Sequence, residues 1–127
     1  MSMEIWINPA CSKCRTAQRA LEEAGVEHTV RRYLDDPPTA EELGAVVERL
    51  GLEPWDVART KEAREAGIDL PRTAAARAEW LAALAANPRA IQRPIVTADD
   101  GTTLVARDEE TLARAVALGR PGAAPVS

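Results

Sequence analysis

Asn8-Pro9-Ala10-Cys11-Ser12-Lys13-Cys14-Arg15-Thr16 decides how this chain folds, because it marks where an apolar strand gives way to a helix. The residues before it, Met3-Glu4-Ile5-Trp6-Ile7, form an apolar run without clean alternation, the pattern of a strand buried on both faces. After it, Ala17, Ala20, Leu21 and Ala24 recur at i, i+3, i+4 and i+7, which predicts a helix over residues 11–24 with Gly25 as its stop. The stretch also holds both cysteines of the chain, three positions apart. A thiol in the first turn of a helix faces unpaired backbone N–H groups and the positive end of the helix dipole. Both lower its pKa and favour the thiolate, the nucleophilic form. The same amides make an anion site. The segment therefore proposes a nucleophilic sulfur inside an oxyanion cradle, with Cys11 as nucleophile and Ser12 and Arg15 as candidate substrate-binding residues.

Outward from this stretch, Val26, His28 and Val30 alternate with Glu27, Thr29 and Arg31, predicting a short strand with one buried face and completing a βαβ opening. Pro37-Pro38 breaks the chain, and Thr39 with Glu42 forms a capping box ahead of the stripe Leu43, Val46, Val47 and Leu50, which Gly51 ends. Helical character returns around residues 59–66 and again over 73–86, where Asn87-Pro88 stops it. Residues 94–97 and 103–106 read as strands joined by Asp99-Asp100-Gly101, a hairpin signal. Asp108 is the expected N-cap of a last helix through Leu118. The order is βα, β, helical insert, ββα, an α/β arrangement.

The chain has 127 residues, with 16 basic and 20 acidic side chains and a net charge of −4. That fits one domain over residues 1–119, with a helical insert at about 38–90 and a flexible tail at 120–127. No like-charge block points to nucleic acid or an anionic membrane. No apolar stretch reaches the roughly 18 residues of a membrane span, and no secretory signal pattern opens the chain. The expectation is a cytoplasmic protein, where paired cysteines are commonly catalytic, redox-sensing or metal-binding.

Cys-x-x-Cys before a helix in such a βαβ context is the thioredoxin-type redox signature, and i and i+3 in a first turn lie within disulfide range. Cys14, one turn deeper, is the candidate resolving thiol; its plainer reading is a buried small hydrophobe. A closed zinc site needs four ligands, and only His28 joins the two cysteines, so no metal is expected. His28 reads as an ordinary strand imidazole. Arg31-Arg32 and Asp35-Asp36 read as solvated loop charges, and the tryptophans as core and interface residues of the first strand and the insert.

Beyond the cysteine run, Asn8-Pro9-Ala10-Cys11 with Arg15, Ala58-Arg59-Thr60-Lys61, Arg93-Pro94-Ile95-Val96, and Arg107 after the hairpin resemble the arsenate reductase family of the glutaredoxin-linked type, with its Spx-like relatives. The likeness covers about residues 3–118 and implies a thioredoxin-like fold, a central mixed sheet of about four strands interrupted by the helical insert. It implies an arsenate reductase in which Arg59, Arg93 and Arg107 hold the oxyanion beside the Cys11 thiolate. Guanidinium forks suit tetrahedral oxyanions and keep their charge. It implies a cis Arg93-Pro94 bond, and no bound cofactor but an external thiol reductant: thioredoxin, glutathione with glutaredoxin, or mycothiol. A monomer is the expected state, with arsenate and a thioredoxin- or glutaredoxin-like reductant as partners.

Two features depart from the family pattern. Reductases of this type that use glutathione commonly lack the second cysteine, which here is Cys14, and Ile7 stands where some members carry a histidine. Spx-type regulators do carry Cys-x-x-Cys and counterparts of Arg59 and Arg93, and Arg59-Thr60-Lys61 looks Spx-like. They usually lack the third arginine, so Arg107 tilts the reading toward a reductase. The alternatives are a redox-sensing regulator that binds RNA polymerase and a general thiol–disulfide oxidoreductase.

Overall fold

A computed structural model describes residues 3–119; the tail expected at 120–127 lies outside the described residues. In chain order the elements are β1 (Met3–Ile7), α1 (Ser12–Glu23), β2 (His28–Arg32), α2 (Ala40–Leu50), α3 (Thr60–Glu65), α4 (Arg77–Ala86), β3 (Ile95–Thr97), β4 (Thr103–Val105) and α5 (Glu109–Gly119). They fall into two compact units: residues 3–32 with 93–119, and the insert Tyr33–Gln92.

The first unit is built on a four-stranded mixed sheet of order β2-β1-β3-β4. β1 runs parallel to β2 and antiparallel to β3, and β3 pairs antiparallel with β4. The register aligns Val30, Ile5, Val96 and Leu104 in one row across all four strands. Because side chains alternate along a strand, Met3, Ile5 and Ile7 share a face. That face forms the core with Cys14, Ala17 and Leu21 of α1 and Ala115 of α5. The α/β, thioredoxin-like architecture expected from the sequence is the one observed. Leu21 is fully buried in this core, so Leu21→Ala should cost about 2–5 kcal/mol of unfolding free energy, read from its urea midpoint at unchanged m value.

The second strand begins at His28, two residues later than the alternation suggests. Gly25, at φ 71°, turns the chain after α1. The Gly25 and Val26 amides then donate to the Glu22 and Leu21 carbonyls at 3.1 and 3.0 Å. Val26 closes the helix and fills the core, so the ladder starts after it. The strand also runs further, to Arg32, so Arg31 and Arg32 are strand residues rather than loop charges. Pairing with β1 sets Arg31 opposite Trp6, and the guanidinium carbon lies 5.3 Å from the indole centroid.

The insert unit is helical. The Thr39 hydroxyl accepts from the Glu42 amide and the Glu42 carboxylate accepts from the Thr39 amide, both at 3.0 Å, so the capping box forms as the sequence indicates. Leu43, Val46 and Val47 are buried, and α2 packs against α4, whose Trp80 and Leu84 are buried too. The helix expected from residue 73 opens as a 3-10 turn, Ala74–Ala76, because Thr73 supplies no capping bond and α4 proper starts at Arg77. A bridge between Ala58 and Ile91 fixes the entry to α3, with the Arg59 amide donating to the Ala90 carbonyl at 2.6 Å and the Gln92 amide to Val57 at 2.7 Å. Among the described residues no helix is long and apolar enough to cross a membrane.

Candidate active site

Cys11 is the N-cap of α1, with extended backbone (φ −86°, ψ 123°), and it is half-buried. The loop that places it is organised by Asn8. The Asn8 carbonyl accepts from the Cys11 amide at 2.9 Å, and its side-chain Oδ1 accepts from the Ala10 amide at 3.0 Å. Its own amide donates to Cys14 Sγ at 3.4 Å. The cysteine motif by itself assigns Asn8 no role. An Asn that ends a strand and precedes Pro is an Asx-turn signal, and that signal points to it.

The two thiols are neighbours with opposite electrostatics. Burial raises the Cys11 pKa, but the Cys14 amide and thiol, the Arg93 side chain and the Lys13 amide outweigh it, and the value falls from 9.0 to about 7. Cys14 is fully buried. Burial pushes its thiol up to about 12, helped by the adjacent Cys11 sulfur and opposed by the Asn8 amide and the charge of Arg93. At neutral pH Cys11 is therefore about half thiolate and Cys14 is a thiol. Iodoacetamide should alkylate Cys11 at a rate that rises through a midpoint of about 7, with Cys14 unmodified while the protein stays folded. A midpoint near the ordinary 9.0 would contradict this electrostatic account.

Arg93 reaches Cys11 because of the sheet. Antiparallel pairing of β1 with β3 sets Trp6 opposite Ile95, which brings the residue two before Ile95 toward the cysteine loop. The Arg93-Pro94 peptide is cis. The β3–β4 hairpin, with Ile95 opposite Val105, then carries Arg107 to the level of Arg93. Arg107 Nη1 donates to the Arg93 carbonyl at 2.6 Å, and the Ala106 amide donates to the Pro94 carbonyl at 3.0 Å. Asp108 follows as the cap of α5, its carboxylate accepting from the Thr111 amide and hydroxyl, each at 2.7 Å. The Thr111 bonds hold the Asp108 carboxyl below its usual range, with a smaller contribution from the Lys13 charge.

Thus Cys11, Cys14, Arg93 and Arg107 come together within one unit. Ser12 is exposed in the first turn, and Arg15 is exposed with its Nη1 donating to the Pro9 carbonyl at 3.0 Å, so it braces the loop. Arg59 belongs to the other unit, as N-cap of α3, where its Nε pairs with the Glu62 carboxylate. His28 Nδ1 lies 2.9 Å from the Val26 carbonyl, an ordinary strand contact. Among the described residues no three His, Cys, Asp or Glu side chains gather as a metal site.

The mixed sheet, the thiol pair at the first turn of α1 and the cis-proline define a thioredoxin-like protein. Residues 6–115 match the model of the ArsC family. A protein of the glnII region of Streptomyces viridochromogenes, itself uncharacterized, is 56% identical over 87% of this chain and 95% of its own. An arsenate reductase of Neisseria meningitidis is 37% identical over 87% of this chain and 94% of its own. The solved arsenate reductase of Vibrio cholerae superimposes with a TM-score of 0.76 at 31% identity, over 93% of this chain and 98% of that one. The chain belongs to the ArsC family.

Proposed function

We propose that this protein reduces arsenate to arsenite, with the Cys11 thiolate as nucleophile. The observation that carries the reading is a half-buried thiol, lowered to about 7, at the head of α1 with the Arg93 side chain bonded to it in an ArsC-family chain. A lowered pKa, partial exposure and an adjacent fixed cation are what a reactive thiol needs.

Arsenate binds at the first-turn amides of α1, its charge balanced by Arg93 and Arg107. The Cys11 sulfur attacks arsenic, an S–As bond forms, and one arsenic-bound oxygen leaves as water after protonation. A second thiolate then attacks the Cys11 sulfur. The S–As bond breaks with its electron pair going to arsenic, which departs as arsenite, and the two sulfurs are left as a disulfide. The sulfurs lose the two electrons that arsenic gains.

Cys14 is the proposed second thiol. It is buried against Cys11 and shut off from other partners, so Cys11 is its natural target once arsenic has made that sulfur electrophilic. Its raised pKa keeps it protonated until then, and the leaving arsenite oxygens can take up the proton. The resulting Cys11–Cys14 disulfide needs a dithiol reductant of the thioredoxin kind. Without Cys14, glutathione with a glutaredoxin, or mycothiol, must serve.

Intact-mass measurement after one turnover separates the routes. The wild type should emerge two hydrogens lighter, and Cys14→Ser should retain an adduct on Cys11 until an external thiol removes it. Unchanged thioredoxin-driven turnover in Cys14→Ser would sink the resolving role. Arg59 is proposed as a third arsenate-binding arginine on the family likeness. A second reading, an Spx-like redox-switched regulator, draws support from the same Cys11–Cys14 pair. It requires capture of RNA polymerase from cell extract that depends on the disulfide.

A further inference from the structure

The insert unit carries a concavity of about 510 Å³ that the thiol chemistry does not use. Its lining includes Trp55, Trp80, Ile68, Leu70, Arg64 and Arg72, all from one unit. The volume lies within the range of small-molecule sites. The two indoles sit 6.2 Å apart, centroid to centroid, with their planes tilted by 59°. Trp80 is held in place by its Nε1, which donates to the Pro71 carbonyl at 2.9 Å. Trp80 is buried, whereas Trp55 is only half-buried and presents aromatic surface to the cavity.

The charge of the site is distinctive. Arg64 and Arg72 are both exposed, and among the described residues neither guanidinium is paired with a carboxylate. In the same unit Arg59 is bound to Glu62, and Arg77 is bound to Glu53 at 2.7 Å. Asp69 is the lining's one carboxylate against two guanidiniums, so the cavity favours an anion. Guanidinium binds carboxylate and phosphate in a bidentate way, and indoles favour flat ring systems. A neighbouring hollow lined by Glu62, Glu65 and Arg89 lacks any aromatic wall and has the opposite charge balance.

We propose that the cavity binds a planar aromatic ring carrying one anionic group, the ring against Trp55 and the anion held by Arg64 and Arg72. Aryl phosphates and aryl carboxylates share this chemistry. The inference is independent of arsenate reduction, since no residue of the cysteine site takes part.

The test is a titration of the full-length reduced protein followed by ¹⁵N NMR, with adenosine monophosphate and 2-naphthoate as probes. Adenosine and inorganic phosphate serve as the neutral ring and the bare anion. The expected result is saturable shifts at the Trp55 indole N–H and the Ile68 and Leu70 amides with at least one ring-bearing anion. Whichever probe binds identifies the phosphate or the carboxylate source. Adenosine and inorganic phosphate should each bind about tenfold or more weakly by comparison. Arg64→Ala and Arg72→Ala, both exposed positions that leave the core intact, should each weaken binding about tenfold. The proposal is overturned if neither anionic probe saturates at these residues, if adenosine binds as well as the anions, or if replacing both arginines leaves affinity unchanged.

Discussion

Cys11→Ser is expected to release no arsenite from arsenate, a fall on the order of 10⁴-fold or more in kcat/KM. Two independent losses produce this result. A serine hydroxyl stays protonated at neutral pH, whereas the Cys11 thiol, at about 7, supplies an anionic sulfur to half the molecules. Serine also cannot enter a disulfide, so the two electrons that arsenic needs have no source at this position. The variant should fold normally, because Cys11 sits half-buried at the edge of the core and its backbone bond to Asn8 is untouched. A stable Cys11→Ser protein that still turns over arsenate would place the nucleophile elsewhere.

Arg93→Ala should lower kcat/KM for arsenate by about 10²–10³-fold and raise the alkylation midpoint of Cys11. The side chain does two things at once. It is one of the contributions that lower the Cys11 pKa, and in the proposed mechanism it balances the charge of the arsenate. Its carbonyl, which accepts from Arg107, survives the substitution, so the hairpin geometry is kept. Arg93→Lys preserves the charge and should recover part of the pKa shift. It should recover less of the arsenate affinity, because an ammonium lacks the planar fork that matches the oxyanion. Arg59→Ala in the same assay tests the third arginine proposed on the family likeness and should raise KM for arsenate. An Arg93→Ala enzyme with normal kinetics and a normal midpoint would discredit the cradle.

Much of the fold was legible because local signals agreed with one another. The apolar period changes at Asn8-Pro9 from strand to helix, and Thr39 with Glu42 makes a capping box that the structure reproduces. Asp99-Asp100-Gly101 joins two strands that do pair. The misses were of two kinds. The 3-10 turns at Pro54–Val57 and Pro88–Ala90 are too short to show a period. The start of β2 shifted because Val26 is claimed by the end of α1, a competition that alternation alone does not register.

The site was legible in part for a related reason. The ranking of the two thiols follows from their places in one helical turn, and the pKa values of about 7 and about 12 keep that order. The contact of Arg93 with Cys11 depends on the β1–β3 register, and that of Arg107 with Arg93 on the β3–β4 register. No spacing in the chain encodes either pairing, so family likeness supplied what local pattern could not. Asn8, with its three bonds to the cysteine loop, is the converse case: an Asx-turn signal written in the local sequence.

The most direct test is arsenite release from arsenate by the reduced protein, with thioredoxin and its reductase in one arm and glutathione with glutaredoxin in the other. Multiple turnovers that vanish in Cys11→Ser, with the thioredoxin arm faster and dependent on Cys14, are the predicted result. No arsenite in either arm, nor with mycothiol, from protein whose Cys11 still titrates at about 7, would contradict the reductase assignment.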